Sequence, residues 1–177
     1  MNRKAIFVLT LLLSAISAWA QMDSKPGAGV KKLDYFVGTW TTEGTVVQGP
    51  WGAGGKFTTT DTTEWLPGDF FIAGHGDFHM PADVGGEGKF TAITGYDSAQ
   101  NVYTRDAFDS HGQHEVSKGT LSGDTWTWTS EVTYGGQNIK QRFAMKTLSP
   151  ASFSMKFEVS TDGTNWMTFM EGKATKK

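Results

Sequence analysis

The chain has 177 residues, with 16 Lys and Arg against 18 Asp and Glu, a net charge of −2 and no cysteine. Interspersed charges of both signs give no electrostatic ground for nucleic acid or anionic lipid as a partner. The missing cysteines exclude a disulfide framework, a lipid-bearing cysteine and a thiol nucleophile.

The first twenty residues have the form of a signal peptide. Asn2-Arg3-Lys4 is a short positive head, "AIFVLTLLLSAIS" an apolar stretch, and "AWA" at 18–20 a small-x-small cleavage site, so cleavage is predicted after Ala20. The apolar stretch falls short of the roughly 20 residues that span a bilayer, and no later segment qualifies as a membrane span. The mature chain is expected in the periplasm or outside the cell, with one domain large enough to bury a core. Residues 21–32, "QMDSKPGAGVKK", are Gly/Pro/Lys-rich without periodicity and predict a flexible lead-in to a domain over 33–175.

"LDYFV" at 33–37 predicts a single helical turn, with Leu33 and Phe36 packed under the first strand. Thereafter apolar residues alternate with period two. "KFTTTDTTEW" puts Phe57, Thr59, Asp61, Thr63 and Trp65 on one face. "HGDFH" puts His75, Asp77 and His79 opposite Phe70, Ile72, Gly74, Gly76 and Phe78. "NVYTRDAF" reads with either face inward. "DTWTWTS" pairs Trp126 with Trp128, "NIKQRFAM" aligns Ile139, Gln141, Phe143 and Met145, and "SFSMKFEVS" aligns Phe153, Met155, Phe157 and Val159. Nine turn-rich segments separate the strands, from "GPWGAGG" to "STDGTN", with Asp-Gly and Gly-Gly pairs supplying the positive φ of tight hairpins. "GGKFTTTD" and "GEGKFTAIT" look like equivalent hairpin exits.

About ten hairpin-linked strands with no helical crossover predict an all-β antiparallel meander. Closure removes both raw edges, so a single up-and-down barrel of about 8–10 strands is favoured over a sandwich. Such a barrel holds packed side chains plus one small ligand. Trp40 then sits at one end as a plug, with Gly38 on its face leaving room for backbone or indole.

Gly38-Thr39-Trp40 in this place resembles the calycin superfamily, which includes lipocalins and fatty-acid-binding proteins. That resemblance implies a barrel floor with a basic residue of the last strand stacked over the Trp, for which Lys173 is the candidate. "GTWTTEG", "GYDSAQNVYT", "GTLSGDTWTW" and "EVSTDGTNWMTFMEGKATK", in this order over roughly residues 30–175, resemble secreted bacterial calycin-like proteins known only as a domain of unknown function. The resemblance carries no catalytic residues over. Nitrobindins, a haem-binding branch of similar barrel shape, ligate iron through a histidine near the C-terminal end. The last histidine here is His114, and no cofactor is expected.

On a straight strand His75 and His79 stand roughly 13 Å apart, too far to share an ion whose ligands lie about 2.0–2.2 Å away. They are expected to form a solvent-facing row with Asp77, and His111 and His114 to be exposed turn residues, so no metal site is assigned. "GAGGK" lacks the glycine spacing, the following Ser/Thr and the helix of a phosphate loop. No Gly-x-Ser-x-Gly elbow is present. Asp61 and Gln141, polar on otherwise apolar faces, either orient a ligand's polar end or belong to an internal network, with Arg105 the expected partner of Asp61. Met145, Met155, Met167 and Met170 suit a wall that accepts varied apolar shapes.

Binding of a small apolar or amphipathic molecule is the expected function, with Trp40, Asp61, Trp65, Trp126, Trp128, Gln141, Phe143 and Met155 as candidate lining. One alternative is an enzyme using Asp61, Glu64 or a histidine as general acid or base. Another is an envelope module that contacts protein partners through Trp51.

Overall fold

The computed structural model describes residues 25–50 and 52–177. The predicted signal segment and Trp51 lie outside the described residues. Ten strands occur in sequence: β1 (Gly38–Val46), β2 (Gly55–Trp65), β3 (Ile72–His79), β4 (Glu87–Asp97) and β5 (Val102–Asp109). The second half holds β6 (His114–Ser122), β7 (Thr125–Tyr134), β8 (Gln137–Ser149), β9 (Ser152–Ser160) and β10 (Met167–Lys176). Each pairs antiparallel with its sequence neighbours, and β10 returns to pair with β1, closing the barrel. The predicted turn segments fall between these strands. "GGKFTTTD" and "GEGKFTAIT" begin β2 and β4, two strands that enter from the same end, with Phe57 and Phe90 facing the interior.

Odd strands run from one end, the floor, to the other, the mouth, and even strands return. The floor is built by a short helix α1 (Ala28–Lys31) and the 3-10 turn Lys32–Phe36. Leu33 is fully buried there. Aromatic side chains bring large apolar surface to this plug while their polar tips are satisfied. Trp40 Nε1 donates to Phe36 O at 2.8 Å and Trp65 Nε1 to Asp34 Oδ1 at 2.9 Å. Tyr103 Oη donates to Gly29 O at 3.1 Å and Tyr35 Oη to Ser152 O at 2.9 Å. Four hydrogen bonds thus tie one short segment to β1, β2, β5 and β9.

Four expectations are corrected. The predicted flexible lead-in ends in ordered structure: Val30 of α1 is buried, and Gly29 lies so close to Tyr96 that a Cβ would stand 2.3 Å from the ring. Gly38 is not there to leave room, because a Cβ would make ordinary contact with Lys176 at 3.6 Å. Its φ of +120° is what requires glycine. The residue over the Trp40 indole is Lys176, its Nζ 5.0 Å from the ring centroid, whereas Lys173 is exposed. A β-bulge between Thr168 and Met170 explains the shift. It advances the alternation by one residue, so Met170, Gly172, Ala174 and Lys176 face inward and Lys173 outward. Met167, before the bulge, is likewise exposed rather than part of the wall.

Candidate functional site

The barrel encloses a cavity of about 950 Å³ that is open at the mouth. Its two sides differ. Apart from Gln141 the inner face of β7 to β10 is apolar: Trp128, Phe143, Met145, Met155 and Phe157 form a wall of aromatic and thioether surface. On β3 to β5 the inward positions Gly74, Ala92 and Ala107 are small, and the space they leave lies between polar residues of β2, β5 and β6. Gly76, paired with Asp61, marks the tightest approach: a Cβ there would stand 2.2 Å from Thr60 O and 2.7 Å from Asp61 Cα.

Asp61, Arg105, Glu115 and Ser117 stand on this side together with the hydroxyls of Thr59, Thr63 and Thr94. The pairing Arg105↔Ser117 puts groups of β5 and β6 side by side, and Arg105 Nη1 lies 3.7 Å from Glu115 Oε1. Arg105 keeps 31% of its side-chain surface accessible to the lumen and is otherwise enclosed by the barrel. That confinement lowers its pKa, opposed by Glu115 and Asp61. Burial is the main influence on Asp61 as well, raising its pKa to about 6 against the attraction of Arg105 and of His75 behind it. Ser117 is 2% exposed and its Oγ has no hydrogen-bond partner.

Toward the mouth, the 3-10 turn Ala82–Val84 in the β3–β4 loop contributes Asp83 and Val84 to the rim. Asp83 Oδ2 accepts a hydrogen bond from Ala53 N at 2.7 Å, tying this loop to the β1–β2 loop. His111 also lines the rim, edge-on to Phe78 at 5.6 Å.

A family model described as "Protein of unknown function (DUF1579)" matches residues 25–176. The chain belongs to the DUF1579 family. No functionally curated protein matches the sequence. Among solved structures, this DUF1579 barrel is similar to Rv2717c from M. tuberculosis, with a TM-score of 0.60 and 10% identity over 85% of this chain and 98% of that one. It is also similar to the S-type phycobiliprotein lyase CPES from Guillardia theta, with a TM-score of 0.52 and 9% identity over 83% and 91% of the two chains. At such identities the likeness is one of fold.

Of the candidates named from sequence, Trp40, Asp61, Trp128, Gln141, Phe143 and Met155 line the DUF1579 cavity. Trp65 and Trp126 do not. Trp65 is held in the floor by Asp34, and Trp126 packs there against Phe36 at 4.9 Å and Tyr103 at 4.7 Å. Gln141 is already engaged, its Oε1 accepting from Ser130 Oγ at 2.9 Å. Glu64 of the enzyme alternative points outward, away from the cavity. His75, Asp77 and His79 stand exposed on the outer face, with Asp77 paired to Lys89. His111 and His114 part company, His114 stacking on Phe108 and pairing with Asp106 at 3.2 Å. Among the described residues no group of three acidic, His or Cys side chains is placed to hold a metal ion.

Glu115 and Ser117 were missed. "HEVSKGTLS" mixes polar and apolar residues on both faces, so alternation alone does not orient it. The one usable signal is Gly119, which pairs with Trp128 and yields its space to the indole; a Cβ would stand 2.6 Å from it.

Proposed function

We propose that the protein is an exported barrel that binds one small apolar or amphipathic molecule in its lumen. The observation that carries this reading is the cavity of about 950 Å³, apolar along β7–β10 and holding a few convergent polar groups opposite. Small-molecule sites have this character and fall in the range of roughly 300–1,000 Å³. Export rests on the positive head, apolar stretch and "AWA" site of residues 1–20.

Titration with the neutral fluorophore N-phenyl-1-naphthylamine tests the reading. Saturable emission gain at one probe per chain is expected, with loss of Trp128 emission, and Ala92→Trp is expected to abolish it by projecting an indole into the lumen. Absence of saturable binding, or equal binding by Ala92→Trp, contradicts it.

A second reading has two observations in its favour. Burial in the cavity pushes the Asp61 pKa up to about 6, which suits a general acid or base, and one barrel of similar fold bears the name of a lyase. A screen against esters and lactones, repeated on Asp61→Asn, separates this from binding alone: turnover that survives the substitution removes Asp61 from the role.

A further inference from the structure

Charge inside the lumen is unbalanced. Among the described residues, the carboxylates Asp61 and Glu115 share its interior with one guanidinium, Arg105, and no lysine lines the cavity. Asp83 and Asp109 add two carboxylates toward the mouth, where His111 is the only titratable base. Arg105 is divided between partners, 3.7 Å from Glu115 and within Coulomb range of Asp61. The attractions that reach the Asp61 carboxylate are those of Arg105 and His75, and among the described residues no hydrogen bond supports it. Burial therefore holds an under-compensated anion against the cavity. The Ser117 hydroxyl, almost fully buried, has no partner either. Buried polar groups without partners are uncommon in folded proteins and call for a water, an ion or a ligand.

An incoming anion does not meet this need. Its carboxylate enters a lumen already net negative, and it competes with Asp61 and Glu115 for Arg105. A neutral head satisfies the hydroxyl and leaves the charge. An ammonium supplies three N–H donors and one positive charge, which brings Asp61, Glu115 and Arg105 to neutrality.

Resting on the lumen-binding reading above, we infer that the ligand is an amphiphile whose polar end is a protonated amine, its N–H groups donated to Asp61 on the polar side of the cavity that Glu115 and Ser117 also line. Its apolar body lies along the β7–β10 wall of Trp128, Phe143 and Met155. The two halves of the cavity thereby take the two halves of one molecule.

Decylamine, decanol and decanoate share a chain and differ in the head. Each is competed at pH 7.5 against N-phenyl-1-naphthylamine bound to the full chain. Decylamine is expected to displace the probe at a concentration at least about ten-fold below that of decanol, with decanoate the poorest. Asp61→Asn is expected to narrow the amine-to-alcohol ratio several-fold, and Glu115→Gln, a second variant should the first fold poorly, to narrow it in the same direction. Decanoate as the best competitor overturns the inference, as does an amine preference that both variants leave intact. Probe and decanol binding with no preference for the amine overturns the inference alone. Failure of the probe and all three competitors to bind overturns the lumen-binding reading with it.

Discussion

Asp61 is a carboxylate whose folded pKa, about 6, lies above its ordinary value of 3.8 because burial outweighs the attraction of Arg105 and His75. The folded chain therefore holds this proton more tightly than the unfolded one. The resulting stability is fully present below about pH 3.8 and is lost as pH rises through about 6. Against an Asp61→Asn variant, which cannot ionise, the wild-type chain is predicted to be less stable at pH 8 by on the order of 2–3 kcal/mol. The gap closes toward pH 4. Urea unfolding of both proteins across that range checks it, and a gap that grows on acidification contradicts it. A second residue-scale prediction concerns the last strand. Lys176→Ala removes the cation over Trp40 and is expected to destabilise by about 0.5–2 kcal/mol, while Lys173→Ala, at an exposed site, changes the urea midpoint little. The reverse ranking contradicts the register of β10. Lys173 was named because the calycin resemblance implies a basic residue of the last strand over the Trp; the bulge after Thr168, which turns Lys176 rather than Lys173 inward, has no glycine or proline to announce it.

At the scale of elements, the legible strands were those with one apolar face. β2, β8 and β9 separate their faces cleanly, so inward Asp61, Gln141, Phe143 and Met155 followed from period two. β5 and β6 do not. Val102 and Val116 sit on the outer face while Arg105, Glu115 and Ser117 sit inside, an inversion of the usual pattern that hid half of the polar cluster. Orientation there comes from neighbours: Tyr103 is drawn to the floor by its hydrogen bond to Gly29 O, and Gly119 accommodates the Trp128 indole. The β2–β3 pairing rests on another close approach. Gly76→Val is predicted to destabilise by about 1–3 kcal/mol, since a Cβ 2.2 Å from Thr60 O forces the two backbones apart. Chemical unfolding measures it, and an unchanged midpoint contradicts the close pairing of Asp61 with Gly76.

For the whole molecule, closure was legible because nine short turns without a crossover leave an open sheet or a ring, and a ring alone has no edges. Occupancy of the interior was not. Whether ten strands enclose a packed core or a cavity depends on which inward side chains meet across the centre, and space is left here at the small residues Gly74, Ala92 and Ala107 of β3 to β5. The outer wall carries its own apolar surface, with Phe71, Ile93 and Val116 about half exposed, so a probe has two places to go. Crystallographic location of bound N-phenyl-1-naphthylamine distinguishes them most directly. The probe is predicted inside the barrel, above the Trp40 floor, its rings against Trp128 and Met155 and its amine toward Asp61. A lumen filled by its own side chains, with the probe seated outside on Ile93 and Val116, contradicts binding within the barrel.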